Sequence, residues 1–103
     1  MNLSESKDFP VNTASLKEVR VFSRDVFEKI SLPQEQKEEL VLAIAEAAQN
    51  IVKHAYKGVT ETNDKMEIKI SLNNNLVYSI QKIDIVVVLC QLKIKMINIF
   101  YTK

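Results

Sequence analysis

Hydrophobic and polar positions alternate along this chain with changing periods, and the changes mark its elements. Phe9 and Val11 lie two apart around Pro10, which predicts a short edge strand over Asp8–Asn12. Leu16, Val19, Phe22, Val26, Phe27 and Ile30 then recur at helical spacing. They predict a first helix over Ala14–Ile30, with Asn12, Thr13 and Ser15 as cap candidates and Lys17, Arg20, Arg24, Asp25 and Glu28 on a solvated face. In the connection Ser31-Leu32-Pro33, Ser31 can cap and Pro33 suits a first helical turn, while Glu35, Glu38 and Glu39 favour the positive end of a helix dipole. A second helix should run from there to Tyr56, ended by Gly58, about 24 residues or ~36 Å long. Leu40, Ile44, Ala47, Ala48, Ile51, Val52 and Ala55 form its buried stripe, and the alanines let a neighbour approach closely.

Beyond a polar loop from Val59 to Lys65 the period drops to two. Met66, Ile68, Ile70 and Leu72 alternate with Glu67, Lys69 and Ser71. Asn73-Asn74-Asn75 suits a tight turn, after which Leu76, Tyr78 and Ile80 resume the alternation, so an antiparallel hairpin is expected. A sheet with one apolar face and two amphipathic helices implies an α+β fold: a two-layer α/β sandwich whose antiparallel or mixed sheet is covered by two helices on one face. After Gln81 the character shifts to aliphatic residues, and Lys93–Lys103 is rich in Lys, Ile, Met, Asn, Phe and Tyr. The segment 81–103 reads either as one or two further strands, with Ile94, Met96 and Phe100 buried, or as an atypical tail not selected to complete the domain. An uncovered strand edge would also invite a homodimer.

Composition narrows the functional classes. The 103 residues suit a single domain, and 47% hydrophobic residues allow a modest core. Fourteen basic against 13 acidic residues give a net charge of +1, without the electrostatic footprint of a partner for nucleic acid or an anionic membrane. One cysteine, Cys90, offers no internal disulfide and no metal framework, and Met1–Asp8 lacks the pattern of a signal peptide, so a cytoplasmic location is expected. The apolar run Ile85–Leu92, bounded by Asp84, Lys93 and Lys95, is far shorter than the ~20 residues of a membrane span. A single glycine, Gly58, cannot build a glycine-rich phosphate loop of the Walker or dinucleotide-binding kind. His54 is the only histidine, a poor basis for zinc, and no serine sits in the glycine-rich turn of a hydrolase.

Candidate chemistry lies in the second helix. Glu46, Asn50 and His54 are set four residues apart and rise along one flank, close enough to engage one ligand. The same residues, with Lys53, share an arc with Glu39 and Lys57 opposite the apolar stripe, and a merely solvated face or an ordinary surface pair accounts for them equally well. Geometry alone leaves both readings open.

The run Ala43-Ile44-Ala45-Glu46-Ala47-Ala48-Gln49-Asn50-Ile51-Val52-Lys53-His54-Ala55-Tyr56 resembles the N-box helix of the histidine-kinase-type (Bergerat) ATPases. Within that superfamily it is most similar to bacterial anti-sigma-factor serine/threonine kinases. A Phe-Pro strand, a helix containing Val19-Arg20-Val21-Phe22, the Leu-Pro link and a later hairpin occur in the family's order, so the resemblance covers Phe9–Ile80.

The resemblance implies an ATP-binding regulator that phosphorylates a serine of an anti-sigma antagonist and holds a sigma factor. By it, Glu46 is the general base, Asn50 holds the Mg²⁺ that bridges the nucleotide phosphates, His54 stands near the nucleotide pocket or in helix packing, and ATP with Mg²⁺ is the cofactor. Relatives continue into an Asp-x-Gly-x-Gly box that reads adenine and into a glycine-rich lid. Here the chain reads Gln81-Lys82-Ile83-Asp84-Ile85-Val86-Val87, so the adenine role is not carried onto Asp84. The departure implies an incomplete, truncated ATPase-like domain over 1–103, through a reading-frame disruption just after Ile80 that the DNA in another frame would reveal. Kinase activity stays an open expectation. The alternative is a nucleotide-free interaction module or a non-functional remnant.

Overall fold

The computed structural model describes residues 2–54, 65–75, 80–89 and 92–102. Their order is β1 (Leu3–Pro10), α1 (Ser15–Glu28), α2 (Gln34–His54), β2 (Lys65–Asn75), β3 (Ile80–Leu89) and β4 (Leu92–Thr102). The strands form one antiparallel sheet in the order β1-β2-β3-β4. Both helices lie on one face, α1 against β1 and α2, and α2 against β3. This is the expected α+β sandwich.

The period-2 pattern of β2 dictates the layering. Met66, Ile68, Ile70 and Leu72 are buried, as are Ile83, Ile85 and Val87 of β3, with Phe9 contributed by β1. From the helices, Val19, Val26, Phe27, Leu40, Val41, Ile44, Ala47, Ala48 and Ile51 close the same cluster. Each large aliphatic side chain so removed from water contributes roughly 1.5–3 kcal/mol before entropy is counted. The far side of the sheet is polar where Lys65, Glu67 and Lys69 lie exposed.

Three expectations need correction. The first strand is not Asp8–Asn12 but begins at Leu3. At a sheet edge only part of the inner side must be apolar, so Glu5 and Lys7 occupy inward positions opposite Ile70 and Ile68 and hide the strand's period. It ends at Pro10, whose carbonyl accepts from the Asn12 N–H at 3.0 Å as the chain turns. The second correction concerns the cap of α2. Pro33 rather than Ser31 stands there, its carbonyl accepting the N–H groups of Gln36 and Lys37 at 3.1 Å.

The third correction is the hairpin. Asn73–Asn75 do not form its turn; they belong to β2, and Asn75 pairs with Ile80. A turn at the asparagines would set Leu72 against Leu76 and Ile70 against Tyr78. The observed register instead sets Leu72, Ile70 and Ile68 against Ile83, Ile85 and Val87. That choice puts three β-branched residues under the helices, and a one-residue slip would turn them all to the other face. Leu76 and Tyr78 lie outside the described residues, as do Ala55, Tyr56, Gly58 and Cys90. The run beyond Gln81 completes β3 and supplies β4. Ile94, Met96 and Phe100 stand in β4, with side chains outside the described part.

Candidate functional site

Helix α2 carries the candidate site because its sequence separates two faces sharply. Ile44, Ala45, Ala47, Ala48 and Ile51 are buried, while Leu42, Glu46, Gln49, Asn50 and Lys53 are exposed. Ala43, Ala45, Ala47 and Ala48 favour the helix at no cost in side-chain entropy. A separation of four residues raises Asn50 about 6 Å along the axis from Glu46 and leaves the pair as neighbours on the helix surface.

Two hydroxyls elsewhere in the helix layer are engaged within the protein. The Ser23 hydroxyl donates to the Val19 carbonyl at 2.8 Å, and the Ser15 hydroxyl donates to Asn12 Oδ1 at 3.1 Å. Among the described residues, no side-chain hydrogen bond or ion pair engages Glu46 or Asn50. A carboxylate and an amide oxygen thus stand one helical turn apart, open to a ligand. The described part of the helix runs to His54, whose side chain lies outside the described residues. Lys53 is exposed beside the pair.

One neighbour escaped the sequence reading. Leu42, four residues before Glu46, is 56% exposed and continues the flank Leu42-Glu46-Asn50 with an aliphatic side chain. The signal was its place on the wheel, outside the arc of Ile44, Ala48 and Ile51.

The acidic residue downstream is placed otherwise. In β3, Ile83, Ile85 and Val87 are fully buried beneath the helices, so alternation sends Asp84 to the opposite face, where it pairs in register with Ser71. The structure therefore brings Glu46 and Asn50 together and leaves Asp84 on the other side of the sheet.

Comparison with known proteins settles what kind of domain carries this flank. A family model described as the histidine kinase-like ATPase domain matches residues 9–88. The chain belongs to this family. The match begins in β1 and ends in β3, spanning both helices and the Glu46–Asn50 flank. No match was found among curated proteins.

Membership in the histidine kinase-like ATPases brings an ATP-binding regulatory role, with Mg²⁺ the usual companion of the nucleotide. The residues present fit the metal half of that ligand. Asn50 offers one hard oxygen donor, and among the described residues no group of three His, Cys, Asp or Glu forms a protein cage. Mg²⁺ is held in this way, by one or two protein oxygens with phosphate and water filling the rest. The adenine half has no such fit at Asp84, which faces away from the helix layer. Among the described residues, no helix is long and apolar enough to cross a membrane.

Proposed function

We propose that the chain is a cytoplasmic regulator of the anti-sigma kinase type, with Mg·ATP bound along the exposed flank of α2. The observation that carries this reading is the unengaged pair Glu46 and Asn50, one turn apart within the stretch matched by the family. Bound Mg·ATP supplies the phosphoryl group and the charge neutralisation of its oxygens. Asn50 would hold the cation, offering its amide oxygen as a donor. Glu46 would accept the proton of a serine hydroxyl presented by an antagonist protein, the serine oxygen taking the γ-phosphoryl group as its bond to the β-phosphate oxygen breaks and ADP leaves. His54 lies one further turn along, near the nucleotide. The sigma factor is the second partner, transcription regulation is the outcome, and neither nucleic acid nor membrane is contacted.

Calorimetric titration of the 103-residue chain with a nonhydrolysable ATP analogue and Mg²⁺ tests the reading. Saturable heat that disappears in Asn50→Ala supports it. Glu46→Ala should keep that heat and lose phosphoryl transfer to the antagonist. No heat at millimolar analogue overturns it.

A second reading has its own observation. The segment after Ile80 carries no glycine, and Asp84 lies on the face away from Glu46. A nucleotide-free interaction module accounts for both facts and predicts partner binding that persists without ATP.

A further inference from the structure

With Glu46 as base and Asn50 as holder of the cation, the reading on which this rests, we propose that Leu42 is the residue of α2 that meets the acceptor chain. It selects a serine with an apolar side chain beside it, in a stretch carrying Lys or Arg.

Leu42 is 56% exposed on a helix whose other face is buried, and it precedes Glu46 by four residues. At 1.5 Å per residue it stands about 6 Å along the axis from Glu46, on the side away from Asn50. Direction decides its role. In-line transfer sets the entering and leaving oxygens on opposite sides of the phosphorus. With the phosphate-bridging cation assigned to Asn50, the leaving side faces the C-terminal end of the flank, and the acceptor enters from the N-terminal end, over Leu42. There the serine oxygen bonds to the γ-phosphorus, its proton passes to Glu46, and the bond to the β-phosphate oxygen breaks to release ADP.

The side chains at that end define what the acceptor carries. An exposed leucine offers no hydrogen bond and gains only by leaving water, so its counterpart is apolar. Its neighbours three and four residues away on the helix surface are Glu38, Glu39 and Glu46, all exposed, and Glu35 lies on the same arc. Arg24 offsets Glu38 from α1 at 3.5 Å, and Lys53 lies beyond Asn50 at the far end. Negative charge therefore prevails where the acceptor enters and favours cationic side chains in it. The leucine is the anchor, and the carboxylates set the sign of what lies beside it.

Nuclear magnetic resonance of the isotope-labelled full chain tests the contact without requiring turnover. The probe is the peptide Lys-Lys-Leu-Ser-Leu-Lys-Lys, compared with Lys-Lys-Asn-Ser-Asn-Lys-Lys and Glu-Glu-Leu-Ser-Leu-Glu-Glu, each added with and without Mg²⁺ and a nonhydrolysable ATP analogue. The first peptide should shift the amide signals of residues 38–46. Its affinity should fall about tenfold in Leu42→Ala and be kept in Leu42→Met, both good helix formers, and the two comparison peptides should bind about tenfold more weakly. Phosphoryl transfer to the first peptide should show Leu42→Ala as a raised KM with kcat held within about twofold. Binding indifferent to Leu42→Ala, shifts confined to other elements, or no binding of the first peptide would each overturn the contact, even where the analogue binds. Leu42-dependent peptide binding in a chain that gives no heat with the analogue supports the contact and strikes the nucleotide reading instead.

Discussion

The two helices lie side by side on one sheet, yet they use polar residues in opposite ways. At the start and on the inner face of α1, Ser15 and Ser23 are tied to the protein, as is Arg24 further along. Asn12 Oδ1 accepts the Ser15 N–H at 3.0 Å, Ser23 folds back on its own helix, and Arg24 reaches Glu38 of α2 at 3.5 Å. On α2, Glu46 and Asn50 reach nothing among the described residues, although the helix beneath them is more deeply built into the core. The difference teaches where to look for chemistry. Hydrogen bonds at Ser15 and Ser23 hold α1 to the fold, whereas the Glu46–Asn50 flank keeps a carboxylate and an amide available on a helix whose other face is buried.

The comparison can be broken by substitutions of decreasing size. Phe27, 1% exposed, packs in the cluster that both helices share, so Phe27→Ala should cost about 3–5 kcal/mol and lower the urea midpoint of the whole chain in one transition. Separate melting of α1 and α2 would show that they are not one unit. Ala48 is fully buried on α2, and Ala48→Leu should cost about 1–3 kcal/mol by overpacking. If that variant unfolds at the original midpoint, the close approach of α2 to its neighbours is wrong. Asn12→Ala removes the side-chain acceptor shared by the Ser15 N–H and hydroxyl, leaving the Asn12 carbonyl to that N–H, and should cost about 1 kcal/mol by the same urea measurement. The smallest effect is expected on the α2 flank. Asn50→Ala and Glu46→Ala should each leave stability within about 0.5 kcal/mol, whatever they do to ligand binding. A loss as large as that of Asn12→Ala would turn the flank into a structural face and remove the contrast.

Most of the helix layer was legible because periodicity and burial share one cause. Val19, Val26, Phe27, Ile44 and Ile51 are buried where helical spacing put them. The Glu46–Asn50 flank was legible for the same reason, as the remainder of that wheel. The failures came where a local signal competed with a longer one. Three asparagines look like a turn, but the paired run Ile83-Ile85-Val87 is wholly aliphatic and β-branched where Leu76-Tyr78-Ile80 carries a phenol, and pairing across strands is not visible in a single segment. The start of β1 was hidden because an edge strand tolerates Glu5 and Lys7 on its inward side. The side of the sheet taken by Asp84 follows from that same register, so it could not be read from chain order.

The register of β2 against β3 also has a practical meaning. Because Ile68, Ile70 and Leu72 find their partners through buried side chains, the pairing is specified from within the sheet and not by the segment that joins Asn75 to Ile80. Lengthening such a connection adds only about 0.6 kcal/mol for each doubling. A fluorescent or affinity peptide inserted between residues 76 and 79 should therefore leave both strands in step, giving a handle on the molecule.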